Sequence, residues 1–262
     1  MIINDISRTN KHRIWELDFI RGICIFLLVF YNLSILITYF FYHGVVKNFS
    51  HDNFLYIYGN FFQNLITCGF VEIVRHIVLV FFFLISGISS TFSKNISKRI
   101  IYLIIFYLII AFIEFVLCKV TPFTICQPYG VFLAYAFSLL VIRFLLFFNS
   151  KKFYILLIVF LTVSIILFAF FPKFSISPFQ LLDLEKKLCL SHDKFPIFHV
   201  LTISLVGLFL GKTVYRHKTS IFPYCFLKKE KFFLLIGRYT LKFYFVSSMI
   251  ITYVFLTIVS YF

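Results

Sequence analysis

Seven long apolar runs dominate this sequence and decide what it can fold into. A helix that crosses the hydrocarbon core of a bilayer needs about 20 mostly apolar residues. The sequence therefore predicts an all-α polytopic integral membrane protein with about seven transmembrane helices, folded as one domain over residues 1–262. The predicted spans are 19–42, 70–92, 100–118, 131–148, 153–171, 197–214 and 243–262.

Composition supports the same class of protein. Hydrophobic residues make up 61% of the chain and charged residues 13%, whereas soluble domains carry about 25% charged residues. The chain has too little polar surface to cover itself in water, so the lipid bilayer is its expected partner. The first apolar run is longer than the roughly 7 to 15 apolar residues of a signal peptide, so we expect it to remain as an anchor.

Most basic residues lie in the connections on one side of the predicted spans. If the N-terminus lies inside, 18 of the 25 Lys and Arg residues are cytoplasmic and seven are on the outer side. Cytoplasmic loops carry an excess of Lys and Arg, which predicts the N-terminus inside and the C-terminus outside. The same bias explains the net charge of +15, so we predict no nucleic-acid partner.

Polar residues at membrane depth are candidates for function, because they are costly there. Asp18 and Arg21 share one face of the first span, which favours either a local ion pair or a functional role. Asn32 lies near the middle of that span and His43 at its outer end. The spacing returns both to one helix face, about 16 Å apart on a continuous helix.

A second polar group marks the outer start of the second span. Glu72 and His76 are four residues apart with Arg75 between them, a pattern typical of a solvated helix start or of an oriented histidine. The long outer connections 43–69 and 172–196 suit a substrate entrance. The six cysteines form no CxxC pair and no His lies at metal-ligand spacing, so no metal site is predicted.

Five segments, taken in order, resemble the membrane acetyltransferase family typified by heparan-α-glucosaminide N-acetyltransferase, including its short bacterial relatives. The resemblance covers most of the chain and identifies it as a divergent short member. The segments are WELDFIRGICIFLLVF (15–30), FFFLISGISS (81–90), PYGVFLAYAFSLL (128–140), DKFPIFHVLTISLVGLFLGKTVY (193–215) and IGRYTLKFYFV (236–246).

This resemblance implies transfer of an acetyl group from cytosolic acetyl-CoA to an amino sugar or glycan outside the membrane, in a bacterial plasma membrane. The stretch TYFFYH, 38–43, is similar to the family segment that ends in a catalytic histidine. His43 is therefore the expected base and Asn32 the expected oxyanion donor. Arg21 and Arg238 match family motif positions, and we expect them to bind the phosphates of the donor.

Substrate contacts are predicted for Asp18, His76 and Asp193. The chain also departs from the family, because short bacterial relatives carry histidine at the positions of Asn32 and Leu133.

They also carry His-Gln where this chain has Ser247 and Ser248. These departures favour an alternative, a non-catalytic relative that acts as a membrane interaction or assembly protein. A small-molecule transporter ranks third, because the sequence has no paired Gly and Pro breaks in two halves. Self-association into a homo-oligomer is left open.

Overall fold

Helices account for all the regular structure in the described part of the chain. The computed structural model describes residues 14–42, 61, 64, 70–93, 95–120, 130–148, 150–170, 197–216, 220, 231–247 and 249–250. The prediction of an all-α protein is confirmed for these residues. The helices are α1 (Trp15–Tyr42), α2 (Phe70–Ser90), α3 (Ile96–Val120), α4 (Gly130–Leu146), α5 (Ser150–Phe170), α6 (Ile197–Thr213) and α7 (Lys231–Arg238).

The first six helices coincide with the first six predicted spans, and their ends differ from the predicted ends by no more than four residues. Three described helical stretches are long and apolar enough to cross a membrane, and two more are shorter apolar helices. The number of spans and their orientation stay predictions. The three long stretches are Trp15–Ser34, Ile73–Ser90 and Lys151–Phe170, and the shorter ones are Val131–Leu146 and Ile197–Thr213.

Helical structure in the C-terminal region begins at Lys231, before the predicted start of the seventh span at residue 243. α7 starts at Lys231, the chain turns at Tyr239, and residues 240–247 and 249–250 are again helical. The second half of the seventh predicted span, 251–262, lies outside the described residues. The chain divides into two compact units, Met1–Phe82 with Thr219–Phe262, and Phe83–Lys218. The prediction of a single domain stays a prediction.

In the first unit, α7 runs antiparallel to α1 and packs tightly against it. A Cβ atom built on Gly22 would overlap the carbonyl oxygen of Phe233, and one built on Gly237 would overlap the carbonyl oxygen of Asp18. The ring of Phe233 also meets that of Phe26 edge to face, with centroids 5.7 Å apart. Two glycines on opposite helices thus allow the two backbones to touch.

In the second unit, α4 and α6 form the centre. α6 packs against α4 and α5, and α3 packs against α4. Leu139 and Leu145 of α4 and Leu205 and Leu208 of α6 are fully buried. The outer faces of α3 and α5 are exposed and apolar, as expected of helices in contact with lipid. Exposed residues include Ile101, Leu108, Phe112, Ile155, Ile158 and Ile166.

Small residues also bring α2 and α6 together within the second unit. A Cβ on Gly87 would overlap the carbonyl oxygen of Ser204, and one on Gly207 would overlap that of Leu84. Gly207 and Gly211 form a GxxxG pattern, which lets membrane helices approach closely where lipid provides no hydrophobic drive for association. The family-like segment 193–215 therefore has a packing role.

Candidate functional site

Most serine and threonine hydroxyls in the described helices bind their own backbone. Ser90 Oγ donates to the carbonyl oxygen of Gly87 at 2.6 Å, and Ser138 Oγ donates to that of Tyr135 at 2.8 Å. Such bonds satisfy a hydroxyl locally and require no partner from another helix. Polar side chains that bind a side chain on a different helix are therefore the more informative ones.

Two pairs of that kind hold the second unit together. Ser86 of α2 and Tyr135 of α4 share a hydrogen bond, and Thr202 Oγ1 of α6 donates to Ser164 Oγ of α5 at 3.0 Å. Ser86 and Ser164 are buried. Both pairs are consistent with helix association by interhelical hydrogen bonds.

The pair in the first unit has a different character, because it contains a predicted site residue. Asn32 Nδ2 donates to Tyr244 Oη at 3.0 Å, and both side chains are half-buried. A primary amide has two N–H donors, so this bond fixes the orientation of the Asn32 side chain and leaves a second donor. Hydropathy and spacing do not single out Tyr244, although it lies in the family-like segment 236–246.

An arginine contacts the ring of the residue that precedes Asn32 on α1. The guanidinium carbon of Arg75 is 5.4 Å from the ring centroid of Tyr31, the neighbour of Asn32 on α1. A cation over an aromatic face contributes about 0.5 to 2 kcal/mol. His76 is exposed, and the side chain of Glu72 lies outside the described residues, so the predicted Glu72–His76 pair stays a prediction.

A second polar cluster lies near the N-terminal end of α1. Arg21 Nη1 is 3.2 Å from Asp18 Oδ1, and their side chains are 12% and 13% exposed. Of the two interpretations of Asp18 and Arg21, the structure shows the ion pair, and the functional role stays a prediction. Arg21 Nη1 also donates to the carbonyl oxygen of Gly237 at 3.4 Å, which places it beside the residue that precedes Arg238. A guanidinium has five N–H donors, so it can bind more than one acceptor at a time.

The same region contains a buried acid that the sequence pattern does not single out. Glu16 is 4% exposed, and its Oε2 accepts a hydrogen bond of 2.8 Å from Ser220 Oγ. A buried carboxylate is costly unless it is hydrogen-bonded. The contact therefore satisfies the carboxylate and holds Ser220 against the start of α1.

The remaining predicted positions divide into two groups. His43 and Asp193 lie outside the described residues. Leu133 is half-buried on α4, and Ser247 Oγ donates to the carbonyl oxygen of Tyr244 at 2.9 Å. The Ser247 hydroxyl is thus satisfied by its own helix.

Comparison with known families gives one match. The family model described as heparan-alpha-glucosaminide N-acetyltransferase, catalytic, matches residues 13–249. The matched range includes the two polar clusters of the first unit and all the predicted site residues. Neither a curated protein nor a solved structure matches the chain.

Proposed function

Because this chain belongs to the heparan-α-glucosaminide N-acetyltransferase catalytic family, we propose that it transfers an acetyl group from acetyl-CoA to an amino sugar or glycan on the outer side of the membrane. The observation that carries the proposal is the family match over residues 13–249. The polar pair of Asn32 and Tyr244 supports it, because paired polar groups at membrane depth commonly mark function.

The proposed reaction moves one proton from the acceptor to the leaving sulfur through His43. His43 takes a proton from the acceptor amine while the nitrogen bonds to the thioester carbonyl carbon, and the proton passes to the sulfur as the C–S bond breaks. A base whose pKa lies near the working pH is suited to both steps. The products are an acetylated amine and free CoA. An acceptor hydroxyl reacts in the same way through its oxygen.

Asn32 has the complementary role. Because α1 is continuous through Tyr42, Asn32 and His43 lie about 16 Å apart along the helix, and the proposed site places the thioester carbonyl between their side chains. As the tetrahedral intermediate forms, negative charge develops on the former carbonyl oxygen, and an oriented N–H donor stabilises it. The hydrogen bond from Asn32 to Tyr244 supports this assignment, since it holds the amide in one orientation before the reaction. Tyr244 is then a positioning residue.

Tyr244→Phe is expected to lower kcat by up to about tenfold, because it removes one hydrogen bond worth about 0.5 to 1.5 kcal/mol. KM for acetyl-CoA is expected to stay unchanged, because the ring remains and only the orientation of Asn32 is relaxed. Steady-state kinetics measure both constants. Tyr102→Phe, on the exposed face of α3, is the matched control, and an unchanged kcat for Tyr244→Phe would contradict the positioning role.

Substrate contacts follow from the predicted sides of the membrane. Arg21 and Arg238 are proposed to bind the donor phosphates, and Asp18 acts through its ion pair with Arg21. His76 and Asp193 lie in stretches predicted on the outer side, and we assign them to the acceptor.

One alternative has specific support. Leu133 and Ser247 occupy positions where short bacterial relatives carry histidine, and the Ser247 hydroxyl binds its own backbone. These features fit a non-catalytic relative that acts as a membrane interaction or assembly protein.

A transfer assay with the purified full-length protein separates the two functions. Labelled acetyl-CoA is supplied together with a panel of amino sugars and cell-wall glycans, and a parallel sample without protein measures spontaneous hydrolysis. The proposal predicts label on at least one acceptor, or protein-dependent release of acetate when the acceptor is absent. Wild-type protein that does neither would favour the non-catalytic alternative.

A further inference from the structure

Arg75 lies on the buried face of α2, in the first unit. Ile73 and Ile77, one helical turn apart, are exposed, as expected of side chains in contact with lipid. Val78 and Leu79 are buried. Arg75 precedes them by three and four residues, so it shares their face of the helix. The guanidinium is therefore directed into the first unit, where a charge at membrane depth is costly and commonly has a function.

The ring of Tyr31 on α1 holds this guanidinium in place. The guanidinium carbon of Arg75 is 5.4 Å from the ring centroid, within the range of a cation–π contact. Such a contact uses the face of the ring and none of the N–H groups as a conventional donor. Arg75 Nε is buried and has no hydrogen-bond acceptor in the part of the chain that the structure describes. A buried donor without an acceptor is costly, which indicates a role in binding.

The described acids of the first unit are too far from Arg75 to neutralise it. They are Glu16 and Asp18. Along α1, which rises 1.5 Å per residue, both lie about 20 Å or more from Tyr31. Glu72 lies three residues before Arg75 in the sequence, and its side chain is outside the described residues. An arginine can bind two acceptors at once, so a contact with Glu72 is compatible with a further anion.

The chemistry of the group favours a carboxylate. Nε–H and one Nη–H of a guanidinium lie parallel on one edge of its plane and match the two oxygens of a carboxylate. Arg75 is also only about 8 Å along the helix from Phe70, the first residue of α2. The distribution of basic residues predicts this end to be on the outer side, which is the side of the acceptor in the proposed reaction.

We propose that Arg75 binds a carboxylate of the acceptor and thereby makes the enzyme specific for acidic amino sugars. The proposal rests on the function proposed above. Tyr31, which holds Arg75, directly precedes Asn32, the proposed oxyanion donor, on α1. A carboxylate bound to Arg75 is thus held against the turn of α1 that carries Asn32, and its binding orients the acceptor without a direct part in the chemistry.

Two acceptors that differ in charge alone test this specificity. Muramic acid is an amino sugar with a carboxylate, and its primary carboxamide has the same shape without the negative charge. The full-length protein in neutral-lipid nanodiscs is supplied with labelled acetyl-CoA and each sugar in turn. Wild type is expected to have a kcat/KM about 10- to 100-fold higher for muramic acid than for the carboxamide, the effect of one charge-assisted pair of hydrogen bonds.

Arg75→Gln is expected to abolish this preference. Its kcat/KM for muramic acid falls about 10- to 100-fold, whereas its value for the carboxamide stays within about twofold of wild type. Arg75→Lys keeps the charge but loses the paired donors, so it is expected to retain part of the preference. Arg143→Gln removes an exposed arginine of α4 and serves as the matched control, with both values within about twofold of wild type.

The outcomes separate a specificity role from a structural one. Equal activity of wild type on the two sugars, or an equal loss on both in Arg75→Gln, would overturn the proposal and leave the proposed function standing. Either result is what an ion pair of Arg75 with Glu72 alone predicts. A preference for glucosamine 6-phosphate but not for muramic acid would identify a phosphate site and also overturn it. Wild type that neither transfers nor hydrolyses the acetyl group would overturn the proposed function together with this specificity.

Discussion

Gly237→Ala is expected to destabilise the protein, although alanine usually stabilises a helix. In a helix interior, Ala is about 1 kcal/mol more favourable than Gly. Here the added Cβ would overlap the backbone carbonyl of Asp18, which no side-chain rotation relieves. α1 and α7 must separate, and the contact from Arg21 to the Gly237 carbonyl is weakened. Overpacking of this kind lowers the free energy of unfolding by about 1 to 3 kcal/mol. A decrease in that free energy, rather than an increase, therefore indicates that the two backbones are in contact.

Thermal unfolding in detergent, followed by circular dichroism, measures this effect. Each kcal/mol corresponds to roughly 2 to 4 °C in Tm for a domain of about 150 to 250 residues. Ala169→Val adds bulk at an exposed position of α5 and is expected to leave Tm unchanged. Gly207→Ala is the equivalent overpacking in the second unit, against the carbonyl of Leu84. A Tm for Gly237→Ala at or above that of wild type would contradict the close α1–α7 packing.

His43→Ala is expected to have the largest effect on activity. Removal of a general base lowers the rate by about 10² to 10⁴, and a base must be unprotonated to act. Wild-type activity is therefore expected to fall as the pH drops and His43 becomes protonated. That dependence is expected to disappear in His43→Ala.

The pH–rate profile and kcat of the purified protein check this prediction. His217→Ala removes a histidine from a stretch predicted to be cytoplasmic and serves as the control. The assignment of His43 comes from its spacing in TYFFYH and from the family resemblance. If His43→Ala keeps more than about a tenth of wild-type kcat, the loss is too small for removal of a general base. That result would contradict the assignment of His43.

Local requirements explain which parts of the fold were predictable. A membrane helix must satisfy its backbone within its own segment, so apolar run length predicts α1 to α6 closely. The Asp18–Arg21 ion pair was equally accessible, because residues three apart on a helix are neighbours. α7 was missed because KFFLLIGR is only eight residues long, and it forms where its glycine packs against α1.

The contacts at the candidate site that the sequence does not predict join residues that are far apart in the chain. Tyr244 lies 212 residues from Asn32 in the sequence, and hydropathy counts a tyrosine within an apolar run as one more lipid or core residue. Ser220 lies 204 residues from Glu16, and nothing in the local sequence of either residue indicates the contact. No sequence period or short motif predicts either contact.

Transfer across a sealed membrane tests the central claim most directly. Wild-type protein is reconstituted in liposomes, with labelled acetyl-CoA on one side and an amino sugar confined to the other. If the chain is a transmembrane acetyltransferase, labelled acetyl groups appear on the amino sugar while acetyl-CoA itself stays on its own side. Absence of label from the amino sugar, with the protein folded and the membrane intact, would contradict the account.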